Sequence, residues 1–400
     1  MIVEASAATI GLALAPPAPR IRDLLTITAR PEIVSLAGGL PDPDLIPRTR
    51  IREAGAEALA RPDAVQYTET AGWFGLREVI AARESAAGSR SVDPREVVVT
   101  HGSQQALSLL AQVLLDPGAT VVVEEPAYTG ALQVFRLAEA RILTVPLDAD
   151  GMRTDRLEEL LDAGERPALV HTVSNFHNPG SATMSAARRR HLAALADTYG
   201  FWVIEDDPYG EIWFDAAPPA PVADHSDRVI RLSSASKILA PALRVGWLRA
   251  PRPVCAAVEL VKQGADLCGS TLTQRIAAVM LSDGPWLAGH LERIRGAYGA
   301  RAAAVAGAFG DRVSATVIGG GMFCWLEFRD GTDTAALLEA ALDHGVAFVP
   351  GSAFAVGGDH RATARLCFTT NDESALAEAV DRLAAAHASA DRRRTQSTQS

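Results

Sequence analysis

Short apolar runs rich in β-branched residues alternate with segments of helical periodicity along much of the chain. The runs lie at residues 97–100, 120–124, 168–173, 201–205, 228–232 and 244–248. Segments between them, such as 104–114 and 186–199, carry apolar residues at helical spacing. Continuous apolar strands separated by helices are typical of a buried, mostly parallel sheet covered by helices. The pattern therefore predicts an α/β lobe.

From about residue 290 the pattern changes. An Ala-rich helical stretch at 285–309 precedes short strand-like runs near 322–328, 346–349 and 364–369 and helices at 334–343 and 373–386, which indicates a smaller α+β lobe. The 400 residues, 48% of them hydrophobic, suffice for a large core and two lobes. We predict four parts, namely an N-terminal arm with part of the small domain at 1–60, a large domain at 61–290, the C-terminal small domain at 291–386 and a disordered tail at 387–400.

Charge and cysteine content argue against several classes of partner. With 38 Lys+Arg against 48 Asp+Glu, the formal net charge of −10 gives no general attraction to nucleic acid or an anionic membrane. The four cysteines lack CxxC spacing, which favours free core thiols in a reducing compartment and predicts no metal site. The first twenty residues lack a basic region and are interrupted by prolines, so we expect a cytoplasmic protein without export or membrane insertion.

One lysine lies among small hydroxyl residues between two predicted strands, in the sequence Ser-Ser-Ala-Ser-Lys at 233–237. Arg244 follows seven positions after Lys237. A lysine can form a Schiff base with an aldehyde, while hydroxyls and a guanidinium can hold a phosphate. Pyridoxal phosphate carries both groups. The sequence lacks the GxGxxG, GxxxxGK[ST], HExxH and GxSxG patterns that would favour dinucleotide, P-loop, zincin or hydrolase chemistry.

Three further segments supply what such a cofactor needs. Asp206 follows a predicted strand and offers a carboxylate to keep the ring nitrogen protonated, with Tyr209 three residues later. Asn178 follows another strand and offers an amide to the phenolic oxygen. Residues 100–107 place small residues at a strand-to-helix turn, where free backbone N–H groups favour phosphate. The order of these segments along one chain favours a pyridoxal-phosphate site.

With these motifs the chain resembles the fold-type I pyridoxal-phosphate enzymes, and among them the class I aminotransferases close to 2-aminoadipate and aromatic amino acid aminotransferases. The similarity covers roughly residues 20–385 and includes Ser-Leu-Ala-Gly-Gly-Leu-Pro-Asp-Pro at 35–43, Val-Gln-Tyr at 65–67 and Ala-Arg-Leu-Cys-Phe at 364–368. The resemblance implies a large domain built on a mostly parallel seven-stranded sheet and a smaller α+β domain. It also implies transamination between an L-amino acid and a 2-oxo acid by a ping-pong mechanism.

The resemblance assigns roles residue by residue. It makes Lys237 the Schiff-base lysine and general base, Asp206 the partner of the ring nitrogen, and Asn178 and Tyr209 partners of the phenolic oxygen. Tyr128 resembles the aromatic residue that stacks on the ring. The expected phosphate-binding residues are Gly102, Ser103, Gln104, Ser234, Ser236 and Arg244. Tyr67 resembles a tyrosine that reaches the phosphate of the neighbouring subunit, which implies a functional homodimer.

Substrate recognition is also implied by the resemblance. Arg365 lies where the family binds the substrate α-carboxylate, a task suited to a guanidinium fork, with Asn178 beside it and Gly39 allowing close backbone approach. Arg22 resembles an arginine on an N-terminal helix that meets acidic substrate side chains. Glutamate is therefore the expected amino donor.

The loop around Asn178 departs from the family pattern. The usual Asn-Pro-Thr-Gly reads Asn-Pro-Gly-Ser at 178–181, Ser174 replaces a common proline, and His177 replaces a common glutamine. This departure keeps open another reaction on the same fold, catalysed by a β-lyase, racemase, decarboxylase or oxidase acting on a specialised non-proteinogenic amino acid. A non-catalytic cofactor-binding sensor is a more remote alternative, since only about twenty residues precede the similarity, too few for a winged helix-turn-helix.

Overall fold

The computed structural model describes residues 30, 32–307, 309 and 313–398, with side chains described up to residue 390. Its large sheet contains eight strands, ordered β2-β9-β8-β7-β6-β3-β4-β5. The strands are β2 (Val97–Thr100), β3 (Thr120–Glu125), β4 (Arg141–Asp148), β5 (Gly151–Met152), β6 (Leu169–Thr172), β7 (Trp202–Asp206), β8 (Val229–Ser234) and β9 (Gly246–Arg249). The pairs from β8 across to β4 are parallel, while β9 runs antiparallel to both of its neighbours. The predicted mostly parallel α/β lobe is confirmed.

The sheet differs in one respect from the six runs recognised in the sequence. Strand β4 interrupts its apolar residues with Pro146 and has both exposed and half-buried positions, so it lacks the continuous apolar pattern of a central strand. The two-residue β5 pairs antiparallel with β4 and brings the total to eight strands instead of seven.

Helices cover the large sheet and connect its strands. They are α1 (Arg48–Leu59), α2 (Phe74–Ala87), α3 (Ser103–Leu114), α4 (Thr129–Leu137), α5 (Thr154–Asp162), α6 (Ala186–Tyr199), α7 (Arg252–Ala265) and α8 (Thr271–Ser282). Two apolar clusters, one built on Val121, Val123 and Ile204 and one on Val122, Val170 and Val203, lie on opposite faces of the sheet. This division follows from the alternation of side chains along each strand.

The smaller lobe combines a four-stranded antiparallel sheet with three helices. Its sheet has the order β10-β11-β14-β13, and its elements are α9 (Gly284–Ala306), β10 (Val313–Ala315), β11 (Phe323–Phe328), α10 (Thr334–Asp343), β13 (Val349–Pro350), β14 (Thr363–Cys367) and α11 (Glu373–Thr398). Two further short strands, β1 (Val34–Ser35) and β12 (Val346–Ala347), pair in parallel. The N-terminal segment around β1 therefore packs with the C-terminal lobe.

The end of the chain differs from the sequence-based expectation. Helix α11 continues through Thr398, across residues that we predicted to be a disordered tail. Residues 383–398 contain neither proline nor glycine, and their alanines and arginines have high helix propensity. The polar composition on which the prediction rested is compatible with a continued helix.

Among the described residues, no helix has the length and apolar character needed to cross a membrane, and no group of three His, Cys, Asp or Glu side chains could hold a metal ion. The four cysteines are free, and three of them are buried.

A buried ionic network links α2 to the strands that carry the site. Arg231 on β8 donates to Glu84 on α2 at 2.5 Å and to Asp207, just after β7, at 2.6 Å. Trp247 Nε1 also donates to Glu84 at 2.9 Å. Although burial opposes its charge, the two carboxylates raise the pKa of Arg231 above its usual value. The network fixes the carboxyl end of β7 relative to β8.

We predict that Arg231→Ala lowers the free energy of unfolding by about 3–5 kcal/mol, because it leaves two buried carboxylates without a cation. Urea unfolding followed by circular dichroism measures the change. Arg156→Ala, which removes an exposed pair with Glu159, is the control and should cost less than about 1 kcal/mol. Equal losses in the two variants would contradict this account of the network.

Candidate active site

A cavity of about 330 Å³ lies between the carboxyl ends of the parallel strands and the small lobe. Every predicted site residue that the structure describes lines it except Tyr67. These residues are Gly39, Gly102, Ser103, Gln104, Tyr128, Asn178, Asp206, Tyr209, Ser234, Ser236, Lys237, Arg244 and Arg365. The carboxyl ends of neighbouring parallel strands meet at one edge of the sheet, so segments far apart in sequence converge there.

Lys237 follows β8 and points into the cavity, where its Nζ donates to the backbone oxygen of Gly39 at 2.9 Å. Burial, together with the charges of Arg365 and Arg244, lowers the pKa of this amine below its usual value and outweighs an opposing effect of Cys367. A larger fraction of the amine is therefore neutral, and so nucleophilic, at neutral pH. The sequence contains only one other lysine, Lys262, which is fully buried and paired with Asp266 at 2.7 Å.

Asp206 is the last residue of β7 and is 2% exposed. Its Oδ1 is buried without a hydrogen-bond partner, and its Oδ2 lies 3.7 Å from His171 Nε2. A buried carboxylate oxygen without a donor costs free energy that a bound cationic N–H group would recover. The position of Asp206 in the cavity wall therefore suits a ligand that presents such a group.

Asn178 and Arg365 meet across the two lobes. Arg365 Nη1 donates to Asn178 Oδ1 at 2.8 Å, and Arg365 Nη2 donates to the backbone oxygen of Ala37 at 2.8 Å. The guanidinium lies 4.4 Å from the ring centre of Phe323 and 5.0 Å from that of Phe354. Burial lowers the pKa of Arg365 from its usual value. With its oxygen occupied, the Asn178 side chain has its Nδ2 donor left for a ligand.

The opposite end of the cavity is built by close backbone approach. Gly102 caps α3 with φ +88°, and a Cβ there would lie 2.8 Å from Arg244 Nη2. A Cβ on Gly246 would lie 2.6 Å from the Cα of Gly102, so both positions require glycine. Arg244 donates to the backbone oxygen of His101. The free N–H groups at the start of α3 and this guanidinium form an anion-binding end.

The predicted phosphate ligands Ser234 and Ser236 hydrogen-bond to each other, whereas the side chain of Gln104 has other partners. Ser234 Oγ donates to Ser236 Oγ at 2.8 Å and accepts from Ser236 N at 3.0 Å, so the hydroxyls form one polar cluster beside the start of α3. The Gln104 side chain instead donates to Gly130 O at 2.9 Å and accepts from Tyr128 Oη at 3.4 Å. Gln104 therefore offers a backbone N–H, while its amide positions the first turn of α4.

The two tyrosines of the cavity wall are held as neutral phenols. Burial and the charge of Asp206 raise the pKa of Tyr128 to about 12. Burial and the neighbouring Tyr128 also raise the pKa of Tyr209 above its usual value. Tyr209 contacts Phe323 edge to face, with ring centres 6.0 Å apart.

Two predicted residues remain to be placed. Tyr67 is 77% exposed and does not line it. Arg22 lies outside the described residues.

The sequence analysis missed Phe323 and Glu124. Phe323 lines the cavity and packs on Arg365, and the triple glycine at 319–321 just before it could have drawn attention to a close approach. Glu124 is a buried carboxylate at the carboxyl end of β3, and its contact with His177 depends on the tertiary structure.

Comparison with known proteins identifies the class. The sequence profile of the family described as aminotransferase class I and II matches residues 31–383. The chain belongs to this family, and it is an enzyme.

Similar proteins cover nearly the whole chain. Aromatic-amino-acid aminotransferase 1 of Thermococcus litoralis is 38% identical over 384 residues, which cover 93% of this chain and 92% of the relative. The 2-aminoadipate transaminase of Thermus thermophilus is 39% identical and covers 92% and 93%. A similar solved structure is that of LysN, an α-aminoadipate aminotransferase also from Thermus thermophilus, complexed with N-(5'-phosphopyridoxyl)-L-leucine. Its sequence is 37% identical, the TM-score is 0.87, and the match covers 95% of this chain and 97% of that chain. The predicted fold type is confirmed.

Proposed function

We propose that this aminotransferase holds pyridoxal 5'-phosphate on Lys237 and moves an amino group between an L-amino acid and a 2-oxo acid in a ping-pong cycle. The observation that carries the proposal is the pairing, in one cavity, of an amine of lowered pKa with a buried carboxylate oxygen that lacks a donor. The solved relative complexed with a phosphopyridoxyl amino acid supports the same cofactor. Bound there, pyridoxal phosphate supplies an aldehyde that exchanges amino groups and a ring that accepts the electron pair left by the α-proton.

Lys237 carries out the proton transfers. Once the substrate amine displaces it, its Nζ is a neutral base beside Gly39, and its lowered pKa suits removal of the α-proton near neutral pH. The same Nζ would then donate the proton to the former aldehyde carbon of the cofactor. A second 2-oxo acid reverses both transfers.

Asp206 keeps the ring nitrogen protonated. Its Oδ1, free of protein donors, accepts from the ring N–H, and the carboxylate stabilises the positive charge in a site shielded from water. The anionic end of the cofactor meets Arg244, Ser234, Ser236 and the start of α3. Asn178 Nδ2, and the Tyr209 phenol held neutral by its raised pKa, donate to the phenolic oxygen.

Arg365 binds the substrate α-carboxylate. Its two Nη atoms each keep a further N–H beyond the bonds to Asn178 and Ala37, which suits a carboxylate. A Cβ built on Gly39 would lie 3.1 Å from Phe323 Cζ, so a side chain at that wall would be in tight contact with the ring. The proposal that glutamate is the amino donor rests on the resemblance of Arg22 to an arginine that meets acidic substrate side chains.

We infer a homodimer in which Tyr67 reaches the phosphate of the neighbouring subunit. Tyr67 and the nearby Val65 are 77% and 73% exposed, which is unusual for apolar side chains two residues apart. Thr271 Oγ1 donates to Gln66 O at 2.6 Å and so ties this exposed segment to α8. Sedimentation at micromolar protein should give twice the chain mass of 42.2 kDa, and a monomer with full activity would contradict this part of the proposal.

The free, mostly buried thiols favour the cytoplasm, which cell fractionation would test.

The function is tested by borohydride reduction of the protein after incubation with pyridoxal phosphate. We expect one phosphopyridoxyl group on the peptide that contains Lys237 and none on Lys262, because the latter is fully buried in an ion pair. Lys237→Ala should take up no label, whereas Lys262→Met is the matched control and should be labelled normally. Mass spectrometry of the digested protein distinguishes the two lysines.

The reaction is tested on the same enzyme before borohydride reduction. An amino acid alone should remove the visible band of lysine-bound cofactor, and a 2-oxo acid alone should restore it. Label on Lys262 would contradict the assignment of the cofactor site. A band that disappears with an amino acid and fails to return with any 2-oxo acid would contradict transamination.

Asp206→Asn should keep the fold and the label on Lys237 but reduce kcat about 10²–10³-fold, because the neutral amide no longer favours a protonated ring. Asp330→Asn, in the small lobe beside His387, is the control and should leave kcat unchanged. Steady-state kinetics with one amino acid and one 2-oxo acid measures kcat in both variants. A kcat of Asp206→Asn near that of the wild type would refute the assigned role.

A further inference from the structure

Two titratable side chains that the proposed chemistry does not use, His177 and Glu124, lie just behind the cavity. His177 Nε2 is 3.0 Å from Glu124 Oε2, and the two side chains are 0% and 2% exposed. Glu124 also accepts from Thr172 Oγ1 at 2.6 Å and from Val173 N at 2.9 Å. Burial alone would raise the pKa of Glu124, but the attraction of His177 and these donors lower it below its usual value. Nothing in the proposed chemistry uses either side chain.

The hydrogen bonds fix the position of the histidine proton. Gly180 N donates to His177 Nδ1 at 3.0 Å, so that nitrogen carries no proton. The proton of the neutral ring is therefore on Nε2, which lies 3.0 Å from Glu124 Oε2 without the alignment of a hydrogen bond, so this contact is electrostatic. The imidazole thus spans from the end of β3 to the backbone two residues beyond Asn178.

The backbone around the imidazole forms a closed turn that carries Asn178. His177 N donates to Ala182 O at 2.8 Å, and Ser181 N donates to His177 O at 2.7 Å. Ser181, whose φ is +62°, also donates from Oγ to Phe323 O at 2.7 Å. The turn is therefore anchored on one side to Glu124 of the large sheet and on the other to β11 of the small lobe.

Gly180 and His177 are sterically matched. A Cβ on Gly180 would lie 3.2 Å from His177 Nδ1 and 2.5 Å from Leu147 Cδ2. A larger residue at 180 would push on the ring that its own N–H contacts. The glycine and the histidine therefore belong to one arrangement, which accounts for the altered sequence of this loop.

We propose that His177 is a positioning residue, held by Glu124, that sets the orientation of the Asn178 amide between Arg365 and the cofactor's phenolic oxygen. The inference deepens the proposed function and rests on it. Asn178 directly follows His177, and its Oδ1 is fixed by Arg365 Nη1 at 2.8 Å, so rotation of the turn changes both contacts of the amide. A displacement of about 1 Å in a group that positions the substrate lowers the reaction rate even when no reacting group is removed.

The test compares His177→Ala, His177→Gln and Glu124→Gln with Asn178→Ala and the wild type. The first readout is the pH titration of the visible band of lysine-bound pyridoxal phosphate, because a donor at the phenolic oxygen sets its midpoint. We expect His177→Ala to move the midpoint in the same direction as Asn178→Ala, and Glu124→Gln to do so by a smaller amount. His177→Gln, which can still donate toward Glu124, should recover most of the shift.

The second readout is steady-state kinetics. His177→Ala should lower kcat/KM for the amino donor about 10- to 100-fold. His387→Ala is the matched control, since His387 is another buried histidine whose Nε2 lies 3.0 Å from a carboxylate, that of Asp330, and it lies in the small lobe away from the cavity. This variant should lose stability and leave the titration unchanged.

The outcomes separate the two proposals. If the wild type takes no pyridoxal phosphate onto Lys237, the proposed function and the inference are both overturned. If the wild type is labelled normally and the midpoint in His177→Ala stays at the wild-type value while that in Asn178→Ala moves, the inference alone is overturned. If His177→Ala does not fold, Glu124→Gln decides in the same way, because a shift supports the positioning role and an unchanged midpoint refutes it.

Discussion

The site depends on three adjacent parallel strands that end at the same edge of the large sheet. Strands β6, β7 and β8 pair in register, so the residues after each strand enter one cavity. The first delivers the turn with Asn178, the second Asp206 and the third the segment with Lys237. A shift of one residue in any strand would reverse which side chains face the cavity. The buried contacts of Arg231 with Glu84 and Asp207 oppose such a shift at the critical end of β7 and β8.

Two buried carboxylates that are adjacent on β7, Glu205 and Asp206, differ in how their oxygens are satisfied. Glu205 is satisfied by Ser174 and by the backbone of Val222 and Ala223, while Arg189 lies 3.3 Å from it. Asp206, the next residue on the strand, points to the opposite face and has an oxygen without a donor. Adjacent carboxylates on one strand thus divide two tasks, because one stabilises the fold and the other is left for a ligand.

Much of this site could be predicted from the sequence, because strands with continuous apolar runs mark where the polar residues at their ends will meet. Lys237, Asp206 and Asn178 each follow such a run, and all three line the cavity. The side-chain role of Gln104 could not be read in this way, since its amide is occupied by a backbone oxygen 26 positions along the chain. The contact between Glu124 and His177 likewise joins a strand end to a loop that is distant in sequence. Strand β4 was not recognised because Pro146 interrupts its apolar residues. At the end of the chain, the high helix propensity of the residues in α11 outweighed the polar composition from which we predicted a disordered tail.

Several hydrogen bonds between the two lobes lie around the cavity and involve residues of the proposed substrate end of the site. Arg365 of the small lobe contacts Asn178 of the large one, and Ser181 contacts Phe323. Nearby, Ala127 N donates to Phe354 O at 2.9 Å, and Glu125 accepts from Gly357 N and from His360. If Arg365 binds a substrate carboxylate as proposed, the carboxylate contacts a small-lobe guanidinium that is itself hydrogen-bonded to Asn178 of the large lobe. Its binding energy depends on how the lobes are oriented, and by reciprocity the bound carboxylate stabilises that orientation.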